Sequence, residues 1–168
     1  MINIKQELEV AKRASEIAAA LLIDNKDNIN KILSNEGRDV KLKADLESEK
    51  VIKNYLLANS NFPILAEESG ANQDLGNSFW VVDPLDGTSN YSRDFPMCCI
   101  SIALIHENEI TLGVINDFNR GSLYEGSIDS KAKLNNEDIY VSSIHHKSKA
   151  TLATGCLLYT SPSPRDDL

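Results

Sequence analysis

Trp80-Val81-Val82-Asp83-Pro84-Leu85-Asp86-Gly87-Thr88-Ser89-Asn90-Tyr91 sets two carboxylates, a rigid residue, a glycine and a hydroxyl directly behind a short apolar run. The run Phe79–Val82 is aromatic and β-branched, which predicts a stiff, buried strand. Pro84 fixes φ where the chain must turn, so Asp83 and Asp86 are expected on a rigid rim. Past them, Gly87 permits a close backbone approach, and Thr88 and Ser89 open a short helix whose free N–H groups would face an anion. Such a stretch is suited to holding cations against a phosphate.

Two phosphatase chemistries use a stretch of this kind, and spacing separates them. Aspartyl-phosphate phosphatases of the haloacid dehalogenase type carry Asp-x-Asp-Gly-Thr, with the first Asp as nucleophile. Here the pattern is Asp-x-x-Asp-Gly-Thr. The extra residue and the proline put both carboxylates and the Leu85 carbonyl around one turn, as oxygen ligands for a hard cation require. A metal-activated water is therefore preferred to a covalent aspartyl intermediate.

Upstream, Phe62-Pro63-Ile64-Leu65-Ala66-Glu67-Glu68-Ser69-Gly70 repeats the same logic, an apolar strand with carboxylates at its exit. Further back, Gly37-Arg38-Asp39-Val40-Lys41-Leu42-Lys43-Ala44-Asp45 places Asp45 at the start of a helical pattern. Taken alone, Asp45 reads as a helix N-cap, Glu67 and Glu68 as a solvated loop pair, and Asp83 and Asp86 as turn formers. The order of the three clusters, single Asp, then Glu-Glu, then Asp-Pro-Leu-Asp-Gly-Thr, resembles the inositol monophosphatase family of magnesium-dependent, lithium-sensitive phosphomonoesterases. The resemblance runs from the first helix to about Gly155. Ser89-Asn90-Tyr91 followed by Phe95-Pro96 is similar to the inositol monophosphatase branch rather than to the 3′-phosphoadenosine phosphatases, which follow the Thr with Lys and an acid. Two positions depart from the family pattern: Lys41-Leu42-Lys43-Ala44 stands where Val-Thr is common, and Ala66 replaces a common Gly.

The resemblance implies roles. Asp45 pairs with Thr88, whose hydroxyl orients and helps deprotonate the attacking water, and Glu68 reaches the water or metal indirectly. Asp83 bridges two Mg2+ ions, with Glu67 and the Leu85 carbonyl on one and Asp86 on the other. Glu67, Asp86, Gly87, Thr88 and Ser89 meet the substrate, a small phosphate monoester. Inositol monophosphate is the first choice; a 3′(2′),5′-bisphosphate nucleotidase and a fructose-1,6-bisphosphatase are alternatives within the superfamily, and a non-catalytic binding module is the alternative of another class. The family also implies a homodimeric full-length parent and a second lobe carrying a Trp-Asp metal ligand. That motif is absent from this sequence.

Across the whole 168 residues, 42% hydrophobic and 25% charged is ordinary globular composition, enough for one domain with a core. A formal charge of −8 without a long Lys/Arg cluster argues against a nucleic-acid surface. An acidic chain that binds phosphate must bring in positive charge, which bound magnesium would supply. No apolar run approaches membrane length and none is flanked as a leader would be, so the expectation is a cytoplasmic enzyme with no membrane contact. Cys98, Cys99 and Cys156 make no Cys-x-x-Cys pair, and Cys98-Cys99 read as buried core thiols. His106, His145 and His146 stand at no ligand spacing and read as surface loop positions, and Arg93 as either a substrate or subunit contact or an exposed helix-end residue.

Apolar residues at helical spacing predict helices over about 4–22 and 45–58. Cys99–Ile105 and Ile110–Ile115 around Glu107-Asn108 predict a β-hairpin, with further strands at Ser122–Glu125, Lys131–Leu134 and Ile139–Val141 and turns at Asn119-Arg120-Gly121 and Asn135-Asn136. Helices first and a meander later indicate an α+β fold, helices layered on a largely antiparallel sheet. The resemblance names this fold as the N-terminal lobe of the αβαβα sugar-phosphatase fold, truncated, over residues 1–155. Residues 156–168, ending Thr160-Ser161-Pro162-Ser163-Pro164-Arg165-Asp166-Asp167-Leu168, break the pattern and read as an appended, artefactual tail or a natural disordered one.

Overall fold

The computed structural model describes residues 2–36 and 39–151. The boundary at Gly155, Cys156 and the tail lie outside the described residues. In chain order the elements are α1 (Ile4–Asp24), α2 (Lys26–Ile29), β1 (Ile32–Glu36), β2 (Asp39–Leu42), α3 (Lys43–Asn59), β3 (Ile64–Ala66), β4 (Gly70–Ala71), β5 (Phe79–Asp86), α4 (Thr88–Tyr91), β6 (Cys99–His106), β7 (Glu109–Asp117), β8 (Ser122–Ser127), β9 (Ser130–Leu134) and β10 (Glu137–Asp138), followed by a single 3-10 turn at Lys147–Lys149.

Eight strands form one sheet in the order β10-β9-β8-β7-β6-β5-β3-β4, and β1-β2 make a separate antiparallel ribbon. Every neighbouring pair of the large sheet is antiparallel except β3 and β5. That parallel pair needs a crossover, and the β4 hairpin with residues 72–78 provides it. The fold is α+β, as expected.

α1 begins where Asn3 accepts a hydrogen bond from the Gln6 N–H at 3.2 Å, satisfying one free donor of the first turn. Its buried face is small, Ala11, Ala14, Ser15, Ala18 and Ala19 flanked by Leu8 and Leu22, so the helix lies close on β6 and β7 beside α3. Alternation along β5 and β6 turns Trp80, Val82, Ile100, Ile102 and Leu104 toward those helices. Polar ties run from α1 to the sheet: Lys12 pairs with Glu125 at 2.6 Å, and the Asn116 amide donates to the Ser15 hydroxyl at 3.3 Å. Tyr91 donates to the Leu22 carbonyl at 2.7 Å, which fastens α4 to the last turn of α1.

Several expectations are corrected. α3 starts at Lys43, so Asp45 is the third residue of the helix rather than its N-cap; its carboxylate instead accepts the Leu42 N–H at 2.7 Å. The strand expected at Ile139–Val141 stands at Glu137–Asp138, because Asn135 and Asn136 take positive φ and return the chain at once onto β9. Pro84 does not end the strand; β5 runs on to Asp86 through a bulge. Cys98 is buried, whereas Cys99 is only half-buried because it alternates to the other face of β6. His106 closes β6, half-buried, edge-on to Phe62 with ring centroids 5.7 Å apart and hydrogen-bonded to Ser78. His145 and His146 are exposed loop positions, as expected. The β1-β2 ribbon carries no alternating apolar signal and was not foreseen.

Candidate active site

Four segments meet at the C-terminal end of β5: the start of α3, the turn after β3, the bulge of β5 and the Gly87 turn into α4. The bulge explains the Asp-x-x-Asp spacing. Three residues apart on an unbroken strand, Asp83 and Asp86 would point to opposite faces. Here Asp83 pairs with Ser101 and Asp86 with Cys99, so β5 spends one residue more than β6 between them. Both aspartates are thereby turned away from the helices, while Pro84 and Leu85 are buried. A proline suits the bulge because it has no N–H to give to the ladder. The Leu85 N–H turns back onto Asp83 Oδ1 at 3.1 Å.

Gly87 takes φ +89°, and a Cβ there would stand 2.7 Å from the Met97 carbonyl. This close approach swings Thr88 beneath α3. Its hydroxyl donates to Asp45 Oδ1 at 2.8 Å and also lies 3.1 Å from the Leu85 carbonyl. Asp45 is 2% exposed, and burial pushes its carboxyl up to about 6, against the opposing pull of the Thr88 and Leu42 hydrogen bonds.

Glu67 leaves β3 with its N–H on the Val82 carbonyl at 3.1 Å, and its carboxyl comes within hydrogen-bonding reach of Asp83. Burial, then the charge of Asp83, pushes Glu67 up to about 7. Asp83 is also raised, by burial first, with the nearby Asp86 charge adding to it. Asp86 is exposed, with the Cys99 thiol 3.8 Å from it; burial and then Asp86 push that thiol up to about 12.

The remaining site residues lie differently. The Glu68 carboxylate is ion-paired with Lys41 of β2, whose ammonium is raised chiefly by that hydrogen bond. Ser89 receives the Arg93 guanidinium on its hydroxyl and, at 2.9 Å, on its carbonyl, and Arg93 is exposed just past the end of α4. Sequence reasoning also passed over Ser48 and Glu49, both buried on α3. Ser48 donates to the Pro84 carbonyl at 2.8 Å, and Glu49 accepts the Glu68 N–H at 2.8 Å. They stand three and four residues after Asp45, a spacing that places all three on one helical face.

Glu67, Asp83, Asp86 and the Leu85 carbonyl are hard oxygen donors with surplus negative charge, the donor chemistry that suits Mg2+. They are not gathered around a common point: among the described residues no three His, Cys, Asp or Glu side chains form a metal-holding group. Among the described residues, too, no helix is long and apolar enough to cross a membrane.

The model of the inositol monophosphatase family matches residues 3–167. An inositol-1-monophosphatase of Synechocystis sp. is 34% identical over 157 residues, which is 91% of this chain and 54% of that protein. The Nus factor SuhB of Xylella fastidiosa is 35% identical over 165 residues, 96% of this chain and 58% of that one. The crystal structure of the extragenic suppressor protein suhB from Bartonella henselae superposes with a TM-score of 0.75 at 29% identity, over 82% of this chain and 55% of that chain. The chain thus spans about half the length of the curated relatives it matches.

Proposed function

The chain belongs to the inositol monophosphatase family, and from that membership we propose that the whole protein hydrolyses a small phosphate monoester, inositol monophosphate first, with Mg2+ as cofactor. The observation that carries the reading is the half-buried contact of Thr88 Oγ1 with Asp45 Oδ1 at 2.8 Å, beside the Glu67 and Asp83 pair. Glu67, Asp83, Asp86 and the Leu85 carbonyl would hold the cations. Bound Mg2+ supplies positive charge against the phosphate oxygens and lowers the pKa of water.

The chain's own residues do the rest. Asp45 accepts the hydrogen bond of the Thr88 hydroxyl and so leaves the Thr88 oxygen able to take a hydrogen bond from water and orient it. Such positioning is worth about 10²–10⁴ in rate for general acid–base groups. Gly87, lacking a Cβ, lets the turn close against the Met97 carbonyl and Cys98 and so sets the backbone ahead of Thr88 and Ser89. Lys41, paired to Glu68, keeps a fixed cation at the rim of a site that is otherwise acidic.

The reading is tested by phosphate release from inositol monophosphate by the full-length protein. Activity should require Mg2+ and vanish in Asp83→Asn; undiminished turnover in EDTA overturns the metal chemistry. A panel of sugar and nucleotide bisphosphates separates the related substrate classes. A second reading, a lobe kept for protein contacts without catalysis, is favoured by the Nus factor relative, and it predicts no phosphate release from any of them.

A further inference from the structure

We propose that Glu49, a buried carboxylate with no part in the chemistry above, is a positioning residue that fixes the Glu67-Glu68-Ser69 turn. Its bearing on catalysis rests on the phosphatase reading, but the geometry stands apart from it. Glu49 is 4% exposed. A carboxylate that deep is costly unless it is hydrogen-bonded, so what it bonds to indicates its use. One oxygen accepts the Glu68 backbone N–H at 2.8 Å, and the other faces the Lys53 ammonium at 3.6 Å. Lys53 in turn donates to the Ser69 hydroxyl at 2.6 Å. Two side chains one helical turn apart on α3 therefore hold successive residues of the turn between β3 and β4.

Glu67 is the first residue of this turn, directly after β3. A loose turn would let Glu67 swing out to solvent. The Glu67 N–H on the Val82 carbonyl holds the turn on one side, and Glu49 holds it on the other with a charge-assisted bond. Glu67 is left facing Asp83.

The test is hydrogen exchange of the Glu68 N–H in the 168-residue chain, read at residue level by mass spectrometry at low protein concentration. In Glu49→Ala this amide should exchange about tenfold faster, the scale of one lost buried hydrogen bond, while amides in the middle of α3 keep their rates. Glu49→Gln, with a carbonyl at the same reach, should restore protection to within about twofold. Glu49→Asp keeps the charge but loses a methylene of reach, should fold, and should behave like the alanine variant. An unchanged Glu68 amide in Glu49→Asp, a rise shared by the whole sheet, or failure of Gln to rescue overturns the proposal. Exchange needs neither a bound cation nor turnover, so failure of the phosphatase reading would show separately as absent phosphate release.

Discussion

Thr88 donates its hydroxyl proton to Asp45 across 43 residues of sequence, at 2.8 Å, under the first turn of α3. Asp45 has both oxygens engaged, one by Thr88 and the other by the Leu42 N–H. The pair is therefore directional, with Asp45 as acceptor and Thr88 as donor.

Removing the hydroxyl should separate chemistry from cation binding. In the full-length protein, Thr88→Ala is expected to lower kcat by roughly 10²-fold or more while Mg2+ affinity stays near that of the parent, since Thr88 contributes no charge to a ligand set. Thr88→Ser should recover part of the loss. Steady-state kinetics with a Mg2+ titration checks this, and equal kinetics for mutant and parent would remove Thr88 from the mechanism.

Asp45 links the site to stability through pH. Its folded-state pKa, about 6, lies above the ordinary 3.8, so the protonated form is favoured by folding. That contribution is complete below about pH 4 and is lost as pH rises through about 6. Asp45→Asn mimics the protonated form and should stabilise the chain by roughly 1–3 kcal/mol above about pH 7, with the difference fading at low pH. Denaturant unfolding at several pH values measures it, and a mutant destabilised at high pH contradicts the burial argument.

Gly87 is the position where a single methyl should do most harm. Gly87→Ala combines a left-handed φ with a Cβ that would press on the Met97 carbonyl and on Cys98, so backbone must move. A loss of about 1–3 kcal/mol is expected, along with displacement of the Thr88 hydroxyl from Asp45. Thermal unfolding and kinetics should fall together; a neutral Gly87→Ala would mean the turn is not held.

The face of the sheet away from α1 and α3 carries Ile115, 46% exposed, beside Tyr124, 39% exposed, in a groove floored by Ser101, Ala103 and Gly113. Apolar surface of this kind on a central strand is expected to bind a hydrophobic dye and to drive concentration-dependent self-association of the 168-residue chain. Ile115→Lys should lower the dye signal, and deletion of Thr160–Leu168 should leave it unchanged. A monomeric, dye-negative chain would contradict this.

Within reach of the sequence lay whatever a few neighbouring residues decide. The aromatic, β-branched run before Asp83 made β5, the spacing of Leu8, Ala11, Ala18 and Leu22 made α1, and Glu107-Asn108 between two apolar runs made the β6-β7 hairpin, because helix and strand periods are local properties of the chain. The candidate residues were legible for the same reason, since each sits at the start or the exit of such an element. The ribbon of β1 and β2 was not legible: Ile32-Leu33-Ser34-Asn35-Glu36 lacks a two-residue period, and pairing with β2 alone makes it a strand. Tertiary structure also decided which acid does what. Glu67 and Glu68 are adjacent, yet one carboxyl meets Asp83 and the other Lys41, because neighbouring residues leave a turn in different directions and the partners come from β5 and β2. Asp83 and Asp86 share a face only through a bulge whose extra residue is counted against β6. Asp45, Ser48 and Glu49 meet Thr88, Pro84 and Glu68 from one face because α3 packs over β5 beside the turn after β3, a packing relation set by burial of the whole helix and not by the residues themselves.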